Sequence, residues 1–362
     1  MRAHSPTRPV LLGLAAALVL ATAASAQAPS PSALEVPLIT DEAEAVLAIL
    51  GKKQVGQPIS AADWERLFAS EGYVRLKKRE ASLQRDFTDE DFRSFVLSEG
   101  LATRGTALAE TLAAWKQAEV SGAAQRALAY LPAGARIRAK IYPVIKPRTN
   151  SFVFEVKTDP AIFLYLNPEM SAAQFENTLA HELHHIGYTA SCLPAMTSSA
   201  LAGLSPPART VAEWLGAFGE GLAMLAAAGG PDVHPHATSG AEDRARWDHD
   251  LANFNEDLKK VEQFFFDILE NRLRNEEEIH EVGFSFFGVQ GPWYTVGWKM
   301  AVTIENAYGR ARLLDCLCDP RQLIETYNQA AVEKNRSSGE SLTLWSPTLI
   351  AALNEGQPLD SR

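Results

Sequence analysis

Three side chains within five residues, His181, Glu182 and His185, are of the types that together activate water at a metal ion. The string His181-Glu182-Leu183-His184-His185 reads H-E-x-x-H. On a helix, residues four apart lie on one face about one turn from each other. Two imidazoles so placed can both reach one zinc ion at roughly 2.0–2.1 Å per bond. Glu182 follows the first imidazole and is turned about 100° around the axis, at 3.6 residues per turn. It therefore stands beside the metal yet is poorly aimed to bind it, which is where a general base must sit. The bland alternative is a surface helix that happens to carry three histidines. What the rest of the chain supplies decides between them.

The motif needs a helix, and Ser171 to Tyr188 provides one. Ser171 and Gln174 form a capping box, and Phe175, Leu179, Leu183 and Ile186 recur at helical spacing. Gly187 reads as the stop. Two histidines leave a catalytic zinc one protein ligand short. No third histidine follows closely, because Tyr188 and Ser191 stand where an extended motif would need a glycine and a histidine. A glutamate from a second helix, expected over Thr210 to Ala228, is the alternative. Glu213 has a structural use there, since Thr210 and Glu213 fit a capping box. Glu220 has none, and it is flanked by Gly219 and Gly221, each costing about 1 kcal/mol against alanine in a helix. That cost makes sense if the backbone must approach another helix closely.

With H-E-x-x-H on one helix and G-E-G-L-A on the next, the chain resembles the gluzincin metallopeptidases over roughly residues 137–308. It is most similar to exported bacterial proteins described only as zinc-dependent peptidases. The resemblance implies one zinc ion per chain held by His181, His185 and Glu220, with Glu182 as the base and a peptide or protein as substrate. The G-x-M-E-N strand of the aminopeptidase branch is absent. Such chemistry also needs a donor to the developing oxyanion. Tyr294, in the segment Gly291-Pro-Trp-Tyr-Thr-Val-Gly297, is the first candidate and His280 the second. The alternative use of Tyr294 is packing within an aromatic-rich segment. His184, His234 and His236 read as ordinary surface histidines.

The remaining chain sets the frame. Residues 1–26 read as a signal peptide: Arg2 and Arg8, an apolar run from Val10 to Ala24, and Ala24-Ser25-Ala26 as the cleavage signal. The expected product is periplasmic or secreted, and no later segment is expected to span a membrane. The formal charge is −10, or −12 once Arg2 and Arg8 leave, which excludes nucleic acid and anionic membrane surfaces as natural partners. In an oxidising compartment, Cys192 can bridge to Cys316 or Cys318, leaving one thiol over. Residues 27–39 are expected to form a flexible lead-in. Residues 40–130 are a helical subdomain with caps at Thr40, Ser60 and Thr88 and a long helix from 103 to 130, broken near Gly122. Residues 131–335 hold the catalytic region and 336–362 a loop-like tail.

Within that region, 137–145, 152–156 and 162–166 predict a small antiparallel sheet packed on the metal helix, its last strand either an exposed edge able to take up an extended peptide or an ordinary core strand. The fold class expected is α+β, predominantly helical, with a gluzincin-like core. The function expected is zinc-dependent peptide hydrolysis. The competing reading is a peptide-binding protein with a non-catalytic zinc site. Oligomeric state is not legible.

Overall fold

Short apolar-periodic runs headed by serine or threonine make up the first part of the structure, a computed structural model that describes residues 33–196, 201 and 203–355. The expected signal peptide lies outside the described residues. Helices α1 (Asp41–Gln54), α2 (Ala61–Ala69), α3 (Glu71–Ser82), α4 (Asp89–Val96), α5 (Glu99–Ala102), α6 (Gly105–Lys116) and α7 (Val120–Leu128) follow in order. Ser60 closes a capping box with Asp63, and Thr88 accepts from the Asp91 amide. Thr40 does not cap; its hydroxyl donates to Glu44 at 2.8 Å instead. The helix expected from 103 to 130 is two helices, parted at Gln117–Glu119 ahead of Gly122. There the freed Glu119 amide donates to Glu176 at 2.9 Å, so a side chain from the H-E-x-x-H helix satisfies the break.

The strands are β1 (Leu34–Glu35), β2 (Ile137–Arg138), β3 (Lys140–Val144), β4 (Phe152–Phe154) and β5 (Ala161–Tyr165). The stretch expected to be a flexible lead-in is ordered from residue 33 on: β1 pairs with β2 in parallel and Leu38 bridges to Ile141, while a second sheet has the order β3-β5-β4. The expectation of an antiparallel sheet is corrected: β3 and β5 run parallel, and only β4 is antiparallel to β5. Of the two readings open for the last strand, edge or core, the core one holds: β5 is central. Ala161 to Leu164 are all buried, and such an unbroken apolar run marks a strand covered on both faces.

Helix α8 (Ala172–Met196) runs straight through Gly187, which is no stop. A Cβ there would come within 2.2 Å of Leu131 and 3.1 Å of Ile137. The missing side chain lets β2 and the end of α7 seat against α8. After α9 (Pro206–Leu215) and a 3₁₀ turn (Gly216–Phe218) comes α10 (Gly219–Ala228). Contrary to expectation, Pro206–Ala228 is long and apolar enough to cross a membrane, with mean hydropathy 1.2. Here it is mostly buried, α10 packing between α8 and α14 (Pro292–Tyr308).

The other C-terminal helices are α11 (Ala241–Ala252), α12 (Phe254–Leu269), α13 (Glu276–Ser285), α15 (Arg310–Asp315), α16 (Pro320–Ser338) and α17 (Pro347–Glu355). The tail expected to be loop thus contains α17, anchored by the buried Trp345, Leu349 and Leu353. A disulfide joins Cys192 on α8 to Cys318, and Cys316 keeps a buried thiol. One apolar core runs from Ala43 to Leu353, so the fold is α+β and predominantly helical.

Candidate metal centre

Helix α8 presents His181 and His185 on one face, their rings edge to face at 4.6 Å. Glu220 arrives from α10. It is in the first turn of that helix, not mid-helix as expected, because the 3₁₀ turn resets the helix start at Gly219. That placement suits a carboxylate, since the first-turn N–H groups carry partial positive charge. The flanking glycines divide. A Cβ on Gly221 would collide with the α14 backbone, at 2.0 Å from the Trp298 amide nitrogen and 2.6 Å from the Tyr294 carbonyl oxygen. Gly219 meets nothing within 4 Å, so close approach explains only one of the pair. Glu213 is exposed, and the capping box expected of it does not form. Ser205 caps the helix one turn earlier, and the Thr210 hydroxyl bonds back to Pro206.

The three donor atoms converge. His181 Nε2 lies 3.2 Å and His185 Nε2 3.1 Å from Glu220 Oε2, and the two nitrogens are 3.0 Å apart. Around a tetrahedral zinc ion with bonds of roughly 2.0–2.1 Å, neighbouring ligand atoms stand about 3.3 Å apart, so this triangle is close to the required size. Two imidazole lone pairs and a carboxylate oxygen facing one point repel one another unless a cation or proton lies among them. The donor set therefore fits zinc. The side chains are largely shielded, between 15 and 26 % exposed. Burial disfavours the charged forms, yet the mutual attraction wins: Glu220 is held far below the usual carboxylate range by the two histidines, and His185 is raised by Glu220. His181 Nδ1 is buried without a hydrogen-bond partner, so no neighbour fixes its tautomer from that side.

Glu182 is half-buried beside the triad and has no hydrogen bond or ion pair among the described residues. Its charge is felt by both His185 and Tyr294. Tyr294, in the first turn of α14, lies with its ring 6.3 Å from that of His181 and nearly parallel to it. Burial, the Glu220 charge and a hydrogen bond to Glu220 push its phenol well above the ordinary value, so the hydroxyl remains a donor.

His280 is not brought to this point. It sits on α13 against Trp214 and Phe284, 3.7 Å from Glu276. His184 is not a surface residue: it is fully buried, its Nε2 3.2 Å from the Tyr130 carbonyl, and desolvation lowers its pKa to about 3. That contact fixes α8 to the end of α7. His236 is likewise buried, bonded to Ser239, while His234 faces Asp248 at 3.1 Å. At 100° per residue His184 stands about 80° off the middle of the face shared by His181 and His185, on the flank that packs against the end of α7.

Residues 64–336 match the family model described as "Putative zinc dependent peptidase (DUF5700)". No curated protein and no solved structure matches the chain.

Proposed function

Because the chain belongs to that family of zinc-dependent peptidases, we propose that it is an exported metallopeptidase of gluzincin type. In this reading His181, His185 and Glu220 hold one zinc ion, and Glu182 serves as general base. The observation that carries the proposal is the triangle of donor atoms 3.0–3.2 Å apart, with a carboxylate beside it that has no partner among the described residues. Bound there, zinc supplies Lewis acidity, polarising a scissile carbonyl and making water acidic near neutral pH.

The protein's own groups do the rest. Glu182 takes the proton of the attacking water and delivers it to the leaving amine. The Tyr294 hydroxyl donates to the oxygen that gains charge as the carbonyl becomes tetrahedral. Its contact with Glu220 keeps that donor aimed at the metal face. A base without a partner among the described residues speaks against a purely structural zinc site, which needs none. The reading includes export with cleavage after Ala26 and a periplasmic or secreted location. The Cys192–Cys318 bridge supports it, since such bonds persist in oxidising compartments. Peptides or proteins are the partners, with neither nucleic acid nor stable membrane insertion.

The test compares wild type with Glu182→Gln for zinc content and peptide turnover. Both should hold one zinc per chain, and the variant should lose turnover by about 10²–10⁴-fold, the usual contribution of general acid–base catalysis. A wild type that takes up no zinc, or a variant as active as wild type, would overturn the proposal.

A further inference from the structure

A second site lies in the N-terminal half, where α3 and α4 face the segment that follows β3. Between them is a cavity of about 190 Å³, with an apolar floor of Leu76, Phe87 and Phe92. Its walls carry opposite charge. Asp86 and Asp91 come from the α3–α4 side, Lys146 and Arg148 from the chain after β3.

Nearby charges are matched within the protein. Glu80, also in the wall, is taken by Arg79 and Arg85, Asp89 by Lys77, and Arg75 by Glu155. The four facing charges are not: among the described residues none of Asp86, Asp91, Lys146 and Arg148 has an ion-pair partner. Lys146 is the informative one. It is only 4 % exposed, and lysines are rarely buried so deeply without a paired acid. Its ammonium donates to the Arg148 carbonyl and to Asn150 Oδ1 and stands 5.5 Å from the Phe152 ring, while the Glu80 and Glu42 carboxylates and the Arg79 and Arg148 guanidiniums act on it only through space. Desolvation lowers its pKa to about 8, a cost that an anion in the cavity would offset.

We propose that this cavity binds a small zwitterion with an apolar side chain, a free α-amino acid. The carboxylate would face Lys146 and Arg148, the ammonium Asp86 and Asp91, and the side chain the Leu76–Phe92 floor. Size supports the assignment, because pockets for drug-sized ligands run to roughly 300–1,000 Å³ and this one is smaller. The site is independent of the metal centre and of the activity proposed for it.

Calorimetric titration of the mature protein with L-phenylalanine tests it, beside N-acetyl-L-phenylalanine, which lacks the ammonium, and L-phenylalaninamide, which lacks the carboxylate. Saturable one-to-one binding is expected for the amino acid, and at least about tenfold weaker binding for each blocked analogue. Arg148→Gln and Asp86→Asn, both at exposed positions that leave the core intact, should each weaken binding by about tenfold. Glu220→Gln should leave it unchanged. No saturable binding, equal binding of the blocked analogues, or loss of binding in Glu220→Gln alone would overturn the proposal.

Discussion

Gly221 and Gly297 meet backbone to backbone where α10 crosses α14. A Cβ on Gly221 would stand 2.4 Å from the Gly297 carbonyl carbon, and one on Gly297 2.6 Å from the Phe218 carbonyl oxygen. Glu220 precedes the first glycine, and Tyr294 lies one turn before the second. The crossing therefore sets the distance between a proposed zinc ligand and the proposed oxyanion donor.

Gly221→Ala should separate the two helices. Inserting a methyl group into a packed crossing costs typically 1–3 kcal/mol, and displacing Tyr294 should lower kcat by about tenfold or more. Gly219→Ala has room and should stabilise by up to about 1 kcal/mol, since glycine is the poorer helix former. Thermal unfolding and steady-state kinetics of the pair check this. Equal behaviour of the two variants would refute the crossing argument.

Tyr294→Phe removes the hydroxyl and keeps the ring stacked on His181. Turnover of a peptide substrate should fall by about 10²–10³ with zinc content unchanged, the loss expected for one oxyanion donor. Loss of zinc together with activity would instead make Tyr294 a support for Glu220.

Glu42 predicts a pH dependence of stability. It is fully buried, with Oε2 accepting from the Ile145 amide and Oε1 unpartnered, and burial raises its pKa from 4.5 to about 8. A group whose folded pKa is raised contributes stability that is complete below the unfolded value and lost as pH rises through the folded one. Stability should decline from about pH 4.5 to 8 by up to about 1.4 kcal/mol per pH unit from this residue. Chemical denaturation across that range should show the slope in wild type and lose it in Glu42→Gln. A slope that survives the substitution would assign it elsewhere.

Cys192→Ser with Cys318→Ser should lower stability by about 2–4 kcal/mol, the usual effect of removing a bridge across a long loop. Denaturant titration of the double variant measures it. An unchanged midpoint would mean that the packing of α8 on the C-terminal helices suffices.

Much of the candidate metal face was legible because it is local. Two histidines four apart on a capped helix fix their own relation, whatever the rest of the chain does. Glu220 was singled out by its surroundings, yet its setting was misread, because a 3₁₀ turn between Leu215 and Gly219 leaves no strong mark in an apolar sequence. Gly187 shows the limit of punctuation rules: the same residue that ends one helix lets another pass a packed neighbour. β5 was open to reading as an edge or as a core strand, and its unbroken apolar run AIFLYL belongs to the middle of the sheet. His280 and Tyr294 carried similar local signals, and only the crossing of α10 with α14 separates them.

The bridge between Cys192 and Cys318 closes a covalent ring that contains Glu220 and Tyr294, while His181 and His185 sit just outside it on the same helix as its first cysteine. A cut in any loop between the two sulfurs would therefore nick the protein without letting either fragment diffuse away, and the severed parts would stay one molecule around the site they share.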